Sequence, residues 1–543
     1  MRFSVRAFLN VRMRARDGVA LATHVYLPPS EGPFPVLLVR TPYQALSNDG
    51  VLDWVNRGYA YVKQDTRGCF LSEGEHRPGL DEADDGADAL AWIAEQPWCD
   101  GNIAMYGGSY VALTQVAASF SGHPALRCIT PCLIGAELHG TYYHGGAFRL
   151  GWHARWTLKP SAGVAAADVQ KCLPIFTADV LARGRESAFW RQALSHPRND
   201  HFWAPGSLVA RGSALAVPSF IRTGWFDLFI SDVFDLFLAA RERGANEETR
   251  RFSRILVGPW PHEINRRQVG EADFGDAAVV ADLFPQELAF LAHFTSGTPG
   301  YEAPDAPLRL FIMGANVWRD EREWPLARTV WTEFFLASGG KANSSAGDGR
   351  LGPAPSGPAD AFVYDPADPV PSLGGAWCTE NVGPRDQSEI ERRADVLVYS
   401  SDVLDSDLEV TGPVEVVLFA SSSACDTDFT AKLVDVHPDG RALSVTDGIL
   451  RATHRHGNGV IEHLVPGRIT EFRIRCNPTA QVFKRGHRIR LEVSSSNFPA
   501  FARNLNTGNS VECDDEIHIA QQTVHHAPEH PSRLILPVIP AGL

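Results

Sequence analysis

Short apolar runs alternate with helical segments in the first part of the chain, and this alternation limits the possible folds more than any other feature. The runs at 36–39 and 59–62 are bounded by Pro, Gly and Asp, which is typical of buried parallel strands. After Asp84, apolar residues recur at helical spacing until Pro97. Repeated strand–helix units predict a doubly wound α/β sheet.

The pattern changes twice further along the chain. Residues 135–215 are rich in aromatic residues, His and Ala without strand alternation, which predicts an inserted helical cap. Beyond 305, apolar residues alternate with charged ones, as at Phe472, Ile474 and Cys476, which indicates strands with one buried face. We therefore expect an α/β core in two parts, 1–134 and 216–304, and a C-terminal β-sandwich over 305–543.

The composition argues against some classes of binding partner. The net charge of -14 disfavours binding to phosphate backbones or to anionic membrane surfaces, so we expect neither nucleic acid nor membrane as a partner. No run approaches the ~18 apolar residues of a membrane span, and no secretory signal is evident at the N-terminus. The nine cysteines form no disulfide framework. A cytoplasmic protein is predicted.

Two sets of residues could hold a metal, but neither has convincing spacing. Cys128 and Cys132 flank an apolar run that contains Pro131, which favours buried thiols. His525, His526 and His530 cluster near the C-terminus among prolines, without supporting carboxylate spacing. We expect no metal and no cofactor.

Several charged residues have a structural interpretation. Arg67 and Glu73 flank a glycine turn and are expected to form a buried or partly buried ion-pair network. The acidic residues near the start of the helix predicted after Asp84 are interpreted as a solvated helix face. They are Glu82, Asp84, Asp85 and Asp88.

Ser109 lies between a predicted strand and a predicted helix, after Gly107 and Gly108. A nucleophilic serine needs a sharp turn at this place, so that its hydroxyl stands clear of the sheet. The strict G-x-S-x-G pattern fails at Val111. Taken alone, Ser109 could equally be a helix N-cap.

Asp227 and His262 complete a candidate triad. Each follows a predicted strand, and His262 lies in a loop rich in Gly and Pro. Asp227 alone could cap a helix, and His262 alone could be an ordinary loop histidine. The chain order Ser, Asp, His is that of the α/β-hydrolases. Together the three residues predict a serine hydrolase that forms an acyl-enzyme.

Further motifs resemble the cocaine esterase-like branch of the X-prolyl dipeptidyl-peptidase family, which also contains α-amino-acid ester hydrolases and glutaryl-cephalosporin acylases. The similarity covers nearly the whole chain. The matching stretches are 40–43 (RTPY), 64–68 (QDTRG), 72–74 (SEG), 96–101 (QPWCDG), 426–430 (DTDFT), 447–451 (DGILR) and 496–499 (SNFP).

The resemblance implies a hydrolase core, a helical cap and a C-terminal jelly roll. It also implies an oxyanion hole made by the Tyr43 hydroxyl and the backbone N–H of Tyr110. The family pattern G-x-S-Y-x-G fits Ser109 and Tyr110, but Ala112 stands where the family has its last glycine. A homo-oligomer would be compatible with this family.

The substrate is less constrained by the sequence. Five aromatic residues of the cap and of the loops beside the triad are candidates for an apolar pocket. They are Trp152, Trp156, Trp225, Phe229 and Trp260. We predict cleavage of an acyl or aromatic ester of a small molecule. The alternatives are an amidase or acylase, an X-Pro-type dipeptidyl peptidase, and a non-catalytic jelly-roll binding protein.

Overall fold

The computed structural model describes residues 5–207, 215–377, 381–457 and 459–541. Within these ranges the chain forms an α/β core, a cap inserted into it and a C-terminal β-sandwich. The predicted α/β-hydrolase architecture with a β-sandwich is confirmed.

The first part of the core contains the strands predicted at 36–39 and 59–62. All six residues of the second of these strands are buried, as expected for the centre of a parallel sheet. The elements are β1 (Arg6–Arg14), β2 (Ala20–Leu27), β3 (Phe34–Thr41), α1 (Val51–Val55), β4 (Ala60–Asp65), α2 (Glu82–Ala94), β5 (Cys99–Gly108), α3 (Tyr110–Ser119) and β6 (Leu126–Cys132).

The cap is a set of short helices and one small hairpin. Its elements are α4 (Leu138–Tyr142), β7 (Tyr143–His144), β8 (Ala147–Phe148), α5 (Leu150–Trp156), α6 (Ala166–Lys171), α7 (Ala178–Arg183) and α8 (Ala188–Ser195). It has its own apolar cluster, in which Phe148, Trp190 and Trp203 are fully buried. The end of the predicted cap, at 208–214, lies outside the described residues.

The chain then returns to the core. The elements are β9 (Phe220–Gly224), α9 (Ile230–Arg243), α10 (Glu247–Phe252), β10 (Arg254–Gly258), β11 (Gln268–Val269), β12 (Ala272–Asp273), α11 (Leu283–Ser296), β13 (Leu308–Ile312) and β14 (Val317–Glu321). Among the described residues, the core sheet has the strand order β1-β2-β4-β3-β5-β6-β9-β10-β13-β14. Its centre, from β4 to β13, is parallel.

The first two strands after the predicted boundary at 305 pair with the core sheet. Strand β13 pairs in parallel with β10, and β14 pairs with β13, so both strands extend the core sheet. The first sandwich strand begins at Val330. A period-2 pattern shows that a segment is a strand, but it does not show which sheet that strand joins.

The sandwich is almost entirely antiparallel. Its strands are β15 (Val330–Ala337), β16 (Arg350–Gly352), β17 (Asp360–Tyr364), β18 (Leu397–Ser400), β19 (Leu408–Gly412), β20 (Glu415–Ser422), β21 (Asp428–Val436), β22 (Ala442–Arg451), β23 (Thr470–Arg475), β24 (Thr479–Phe483), β25 (Arg488–Ser494), β26 (Ala520–His525) and β27 (Arg533–Ile539). Phe429, Phe472 and Leu491 are fully buried in its core. The predicted alternation around Phe472 is therefore confirmed.

The segment Asp276–Ser296 is the one helical stretch among the described residues with the length and composition of a membrane span. Core helices pass the same test. Helix α11 within this segment packs Phe290 and Leu291 into an apolar cluster. Its Glu287 accepts a hydrogen bond of 2.8 Å from Arg222 Nη1 of β9 and one of 2.6 Å from Thr130 Oγ1 of β6. These contacts are those of a core helix.

This buried ion pair yields a prediction about stability. Glu287→Ala leaves the Arg222 guanidinium buried without its carboxylate, which typically costs about 3–5 kcal/mol. We expect the free energy of unfolding, from the first transition in urea, to fall by this amount and the midpoint to move to lower urea concentration. The exposed Glu248→Ala is the control and should leave the transition unchanged. Equal stabilities of the two variants would contradict the importance of the pair.

Candidate active site

Ser109 occupies a strained turn at the carboxyl end of β5. Its φ of 59° and ψ of -129° lie outside the ordinary regions for a side-chain-bearing residue. Gly107 before it has φ +126°, and a Cβ there would lie 2.6 Å from Val111 Cγ1. The turn directs the Ser109 hydroxyl away from the sheet and places it at the N-terminus of α3. Ser109 makes no side-chain cap hydrogen bond to α3.

His262 and Asp227 meet Ser109 from neighbouring loops. His262 Nε2 lies 2.9 Å from Ser109 Oγ, and His262 Nδ1 lies 2.6 Å from Asp227 Oδ2. Asp227 is completely buried, and its Oδ1 accepts a hydrogen bond of 2.9 Å from Phe229 N. The second bond fixes the carboxylate, so that Oδ2 faces the imidazole. Such an arrangement can draw a proton from the serine hydroxyl.

The loops that carry Asp227 and His262 are hydrogen-bonded to each other. Phe226 N donates to Trp260 O at 3.0 Å, and Trp225 N donates to Gly258 O at 2.9 Å. The backbones approach so closely that a Cβ at Gly224 would lie 2.0 Å from Trp260 O. The distance between the carboxylate and the imidazole is therefore set by main-chain contacts.

A buried ionic network lies behind the nucleophile. Arg40 Nη1 donates to Glu82 Oε2 at 2.7 Å, and the Tyr110 hydroxyl donates to Glu82 Oε1 at the same distance. Burial raises the pKa of Glu82, whereas Arg40 and Tyr110 act in the opposite direction. Because Tyr110 follows Ser109 directly, this network anchors the turn that carries Ser109.

Two of the structural expectations are wrong. Arg67 pairs with Asp85 at 2.6 Å and with Asp17 at 2.7 Å, whereas Glu73 pairs with Arg12. The residues expected on a solvated helix face include Glu82 and Asp85, which are 3% and 1% exposed. A buried Arg40 at the end of a strand requires carboxylate partners, and this was the signal in the sequence that could have identified them.

The residues expected to form an oxyanion hole lie beside the cap. The Tyr43 hydroxyl accepts a hydrogen bond of 3.0 Å from Trp156 Nε1, and the Trp156 ring stacks on Tyr110 at 5.8 Å. This bond from Trp156 fixes the position of the Tyr43 hydroxyl beside the cap. Tyr110 is the first residue of α3, where a backbone N–H has no partner in the helical ladder.

An apolar cavity opens next to Ser109. Three of the predicted pocket residues, Trp152, Trp156 and Phe229, line it. Trp152 and Trp156 are four residues apart on α5 and therefore share one face, with their rings stacked at 6.0 Å. Ser109 and Tyr110 line it as well. The other lining residues were not identified from the sequence. They are Pro78, Leu113, Ile134, Leu138, Thr141 and Tyr142.

The structure does not bring Trp225 and Trp260 to this cavity. The Trp225 indole N–H donates to Phe311 O at 2.8 Å, and that of Trp260 donates to Ala278 O at 2.9 Å. Both side chains are at most 2% exposed. Their assignment as pocket residues is corrected: they pack into the core below the loops of the triad.

The cysteines that the sequence offered as metal ligands are buried thiols, and two of the histidines have hydrogen-bond partners. Cys128 and Cys132 are buried in β6, and burial raises the pKa of both thiols. His526 is fully buried between Asp360, at 2.9 Å, and Ser356 O, at 2.8 Å. His525 hydrogen-bonds to Ser421 at 3.1 Å. These histidines hold sandwich strands together.

Fold and site together define a serine hydrolase of the α/β-hydrolase class. The model of the X-Pro dipeptidyl-peptidase (S15 family) matches residues 17–263, and that of the X-Pro dipeptidyl-peptidase C-terminal non-catalytic domain matches residues 301–535. The chain is 41% identical to the cocaine esterase of Rhodococcus sp. (strain MB1 Bresler) over 98% of each protein. The chain belongs to the X-Pro dipeptidyl-peptidase (S15) family.

Solved structures are similar over the whole length. An aminopeptidase from a marine sediment Thaumarchaeota archaeon superposes with a TM-score of 0.84 at 25% identity, over 99% of this chain and 97% of that one. An α-amino acid ester hydrolase gives the same TM-score and identity, over 98% of this chain and 96% of that one. Relatives of this fold thus include enzymes named for esters and for peptides.

The strained turn yields a second prediction. Ser109→Gly and Ser109→Ala both remove the hydroxyl, but only glycine adopts a φ of 59° without strain. Relief of the strain outweighs the extra flexibility of glycine in the unfolded chain, so Ser109→Gly should be more stable than Ser109→Ala by about 1 kcal/mol. Thermal unfolding of the two variants measures this. A less stable glycine variant would show that the turn is not strained.

Proposed function

We propose that the protein hydrolyses esters of small molecules with an apolar or aromatic acyl group, using Ser109, His262 and Asp227. The observation that carries the proposal is the chain of contacts from Ser109 Oγ to His262, at 2.9 Å, and on to Asp227, at 2.6 Å. Three residues far apart in sequence would not be expected to align in this order for a purely structural purpose.

In the proposed reaction, neutral His262 takes the hydroxyl proton while Ser109 Oγ attacks the ester carbonyl. Asp227 holds the imidazole in the required tautomer and stabilises the imidazolium. The tetrahedral intermediate collapses, and the alcohol leaves with the proton from His262. Water then attacks the acyl-enzyme, giving its proton to His262, and the acid is released as Ser109 regains its proton.

The oxyanion of the intermediate would be bound by the Tyr43 hydroxyl and the Tyr110 backbone N–H. Support comes from two contacts: Trp156 donates to the Tyr43 oxygen, and Glu82 and Arg40 anchor Tyr110. Donors that are oriented before the reaction stabilise the developing charge without reorganisation.

The cavity beside Ser109 favours an uncharged acyl group. Of the described residues that line it, none is an aspartate or glutamate that could bind the ammonium group of an amino-acid or peptide substrate. The rings of Trp152 and Phe229 also lie 5.9 Å and 5.8 Å from the imidazole of His262. An aromatic acyl group could therefore pack between these rings next to the nucleophile.

The other predicted activities rank lower. An amidase, acylase or X-Pro peptidase would use the same triad, and the structural similarity to an aminopeptidase keeps this option open to test. A protein that only binds through its sandwich would have no use for the strained Ser109 turn.

We further propose a cytoplasmic location, supported by free cysteines that include the exposed Cys513. A homo-oligomer also stays a prediction, and the molecular mass in solution would test it.

The acyl-enzyme provides the decisive experiment. The protein is mixed briefly with a benzoyl ester, an α-amino ester or an X-Pro anilide, and the reaction is quenched in acid. The mass of the intact protein is then measured by mass spectrometry. We expect a benzoyl adduct on the wild type and none on Ser109→Ala. An adduct that persists in Ser109→Ala would rule out this nucleophile. A stronger adduct from the α-amino ester or the anilide would support the triad but contradict the proposed substrate class.

Tyr43→Phe tests the oxyanion hole. Loss of one such donor typically lowers kcat about 10²–10³-fold, and we expect this loss with little change in KM. Tyr26→Phe, on β2 and buried in an apolar cluster, is the control and should retain activity. An effect on KM alone would instead assign Tyr43 to ground-state substrate binding.

A further inference from the structure

A second cluster of potential ligands lies in the sandwich, on residues that the hydrolase chemistry does not use. Asp435 is near the end of β21, His437 follows that strand, and His487 directly precedes β25. The two strands are antiparallel, with Asp435 opposite Ile489 and Val436 opposite Arg488. Continuing this register places His437 opposite His487.

The same register puts the three side chains on one face. Residues two apart on a strand point to the same side, so Asp435 and His437 share a face. His487 lies two residues before Ile489, the partner of Asp435, and therefore shares that face as well. An Asp-x-His pair and a cross-strand histidine thus converge through strand geometry.

The distances suit a metal ion. His487 Nδ1 lies 2.8 Å from Asp435 Oδ1, and His437 Nε2 lies 3.9 Å from Asp435 Oδ2. One ligand atom from each residue lies within 4.8 Å of the others. Zinc bonds of 2.0–2.2 Å in a tetrahedron place neighbouring ligand atoms about 3.3–3.5 Å apart. The two measured contacts fall on either side of this range, so small side-chain rotations would close the site.

The surroundings hold the carboxylate and leave an approach to the histidines. Asp435 is 4% exposed, and Gln481 Nε2 donates to its Oδ2 at 3.2 Å. The His437 and His487 side chains are 24% and 13% exposed. All three residues line a cleft of about 250 Å³, and its other wall includes Asp273 and Phe274 of the hydrolase core.

We propose that Asp435, His437 and His487 bind one Zn²⁺ ion in this cleft, with a water molecule as the fourth ligand. Two imidazoles and a carboxylate are a donor set that zinc favours. To bind the ion through Nδ1, the neutral His487 imidazole carries its proton on Nε2, and two bonds to the ion replace the hydrogen bond between Nδ1 and Asp435. Its role is structural: it links the turn after β21 to the turn before β25.

The turn after β21 is closed by two hydrogen bonds of its own. His437 N donates to Arg441 O at 2.8 Å, and Gly440 N donates to His437 O at 3.0 Å. A metal bond to His437 would attach this preformed turn to the neighbouring strand. Because the ion binds the folded chain, its presence raises the melting temperature.

The test is titration of the chelator-treated full-length protein with Zn²⁺ in a calorimeter, followed by thermal unfolding with and without the ion. We expect a site of unit stoichiometry and a metal-dependent rise in melting temperature. In His437→Phe and His487→Ala the affinity should fall at least about tenfold and the thermal shift should disappear. His518→Phe, an exposed histidine of the same domain, is the matched control and should behave like the wild type.

Two further measurements keep the result interpretable. An unchanged melting temperature of metal-free His437→Phe shows that this partly exposed position tolerates the substitution, so the test does not depend on His487→Ala folding. Co²⁺ titration should give visible bands without a thiolate charge-transfer band, since the ligands are nitrogen and oxygen. The proposal is overturned if His437→Phe binds Zn²⁺ as tightly as the wild type, or if the wild type binds none.

Discussion

The hydrogen bonds between the loops after β9 and β10 are the constraint on which the site depends. Phe226 N and Trp260 O join the loop of the carboxylate to the loop of the imidazole, and Gly224 allows the two backbones to approach. Once these loops are joined, Asp227 and His262 are held in line with Ser109. The alignment of these three side chains, on which the proposed reaction depends, is therefore set by main-chain contacts.

A second requirement is the support beneath the nucleophile. Ser109 is held in an unfavourable backbone conformation, and such strain persists only where the surroundings enforce it. The buried Arg40 and Glu82 supply this support through the Tyr110 hydroxyl. A buried ion pair contributes little net stability compared with apolar packing, so its value here is to fix one geometry.

The cap and the sandwich have different relationships to the site. The cap contributes Trp152 and Trp156 to the cavity, whereas the sandwich contributes none of its described lining residues. The sandwich packs against the hydrolase core along a cleft that includes Phe274 and His437. The proposed zinc ion would thus stabilise the domain that supports the core, at a distance from the reaction itself.

The sequence alone determined the features that arise from short-range preferences. The strand, glycine turn and helix around Ser109 follow from local composition, and the positions of Asp227 and His262 follow from the strands before them. Pattern and chain order were therefore sufficient to predict a hydrolase core with three aligned residues. The alternation around Phe472 likewise predicted buried strand faces.

Only the tertiary structure decided which side chains meet across long separations. Trp260 lies just before His262 in sequence but packs into the core, whereas Trp152, more than a hundred residues before His262, lines the cavity. The pattern of helix α2 predicts an exposed Glu82, but the residue is buried and paired with Arg40 of β3. Strand β13 belongs to the core sheet because it pairs with β10, which would otherwise be an edge strand. Such outcomes depend on the packing of whole elements, which periodicity along one segment does not encode.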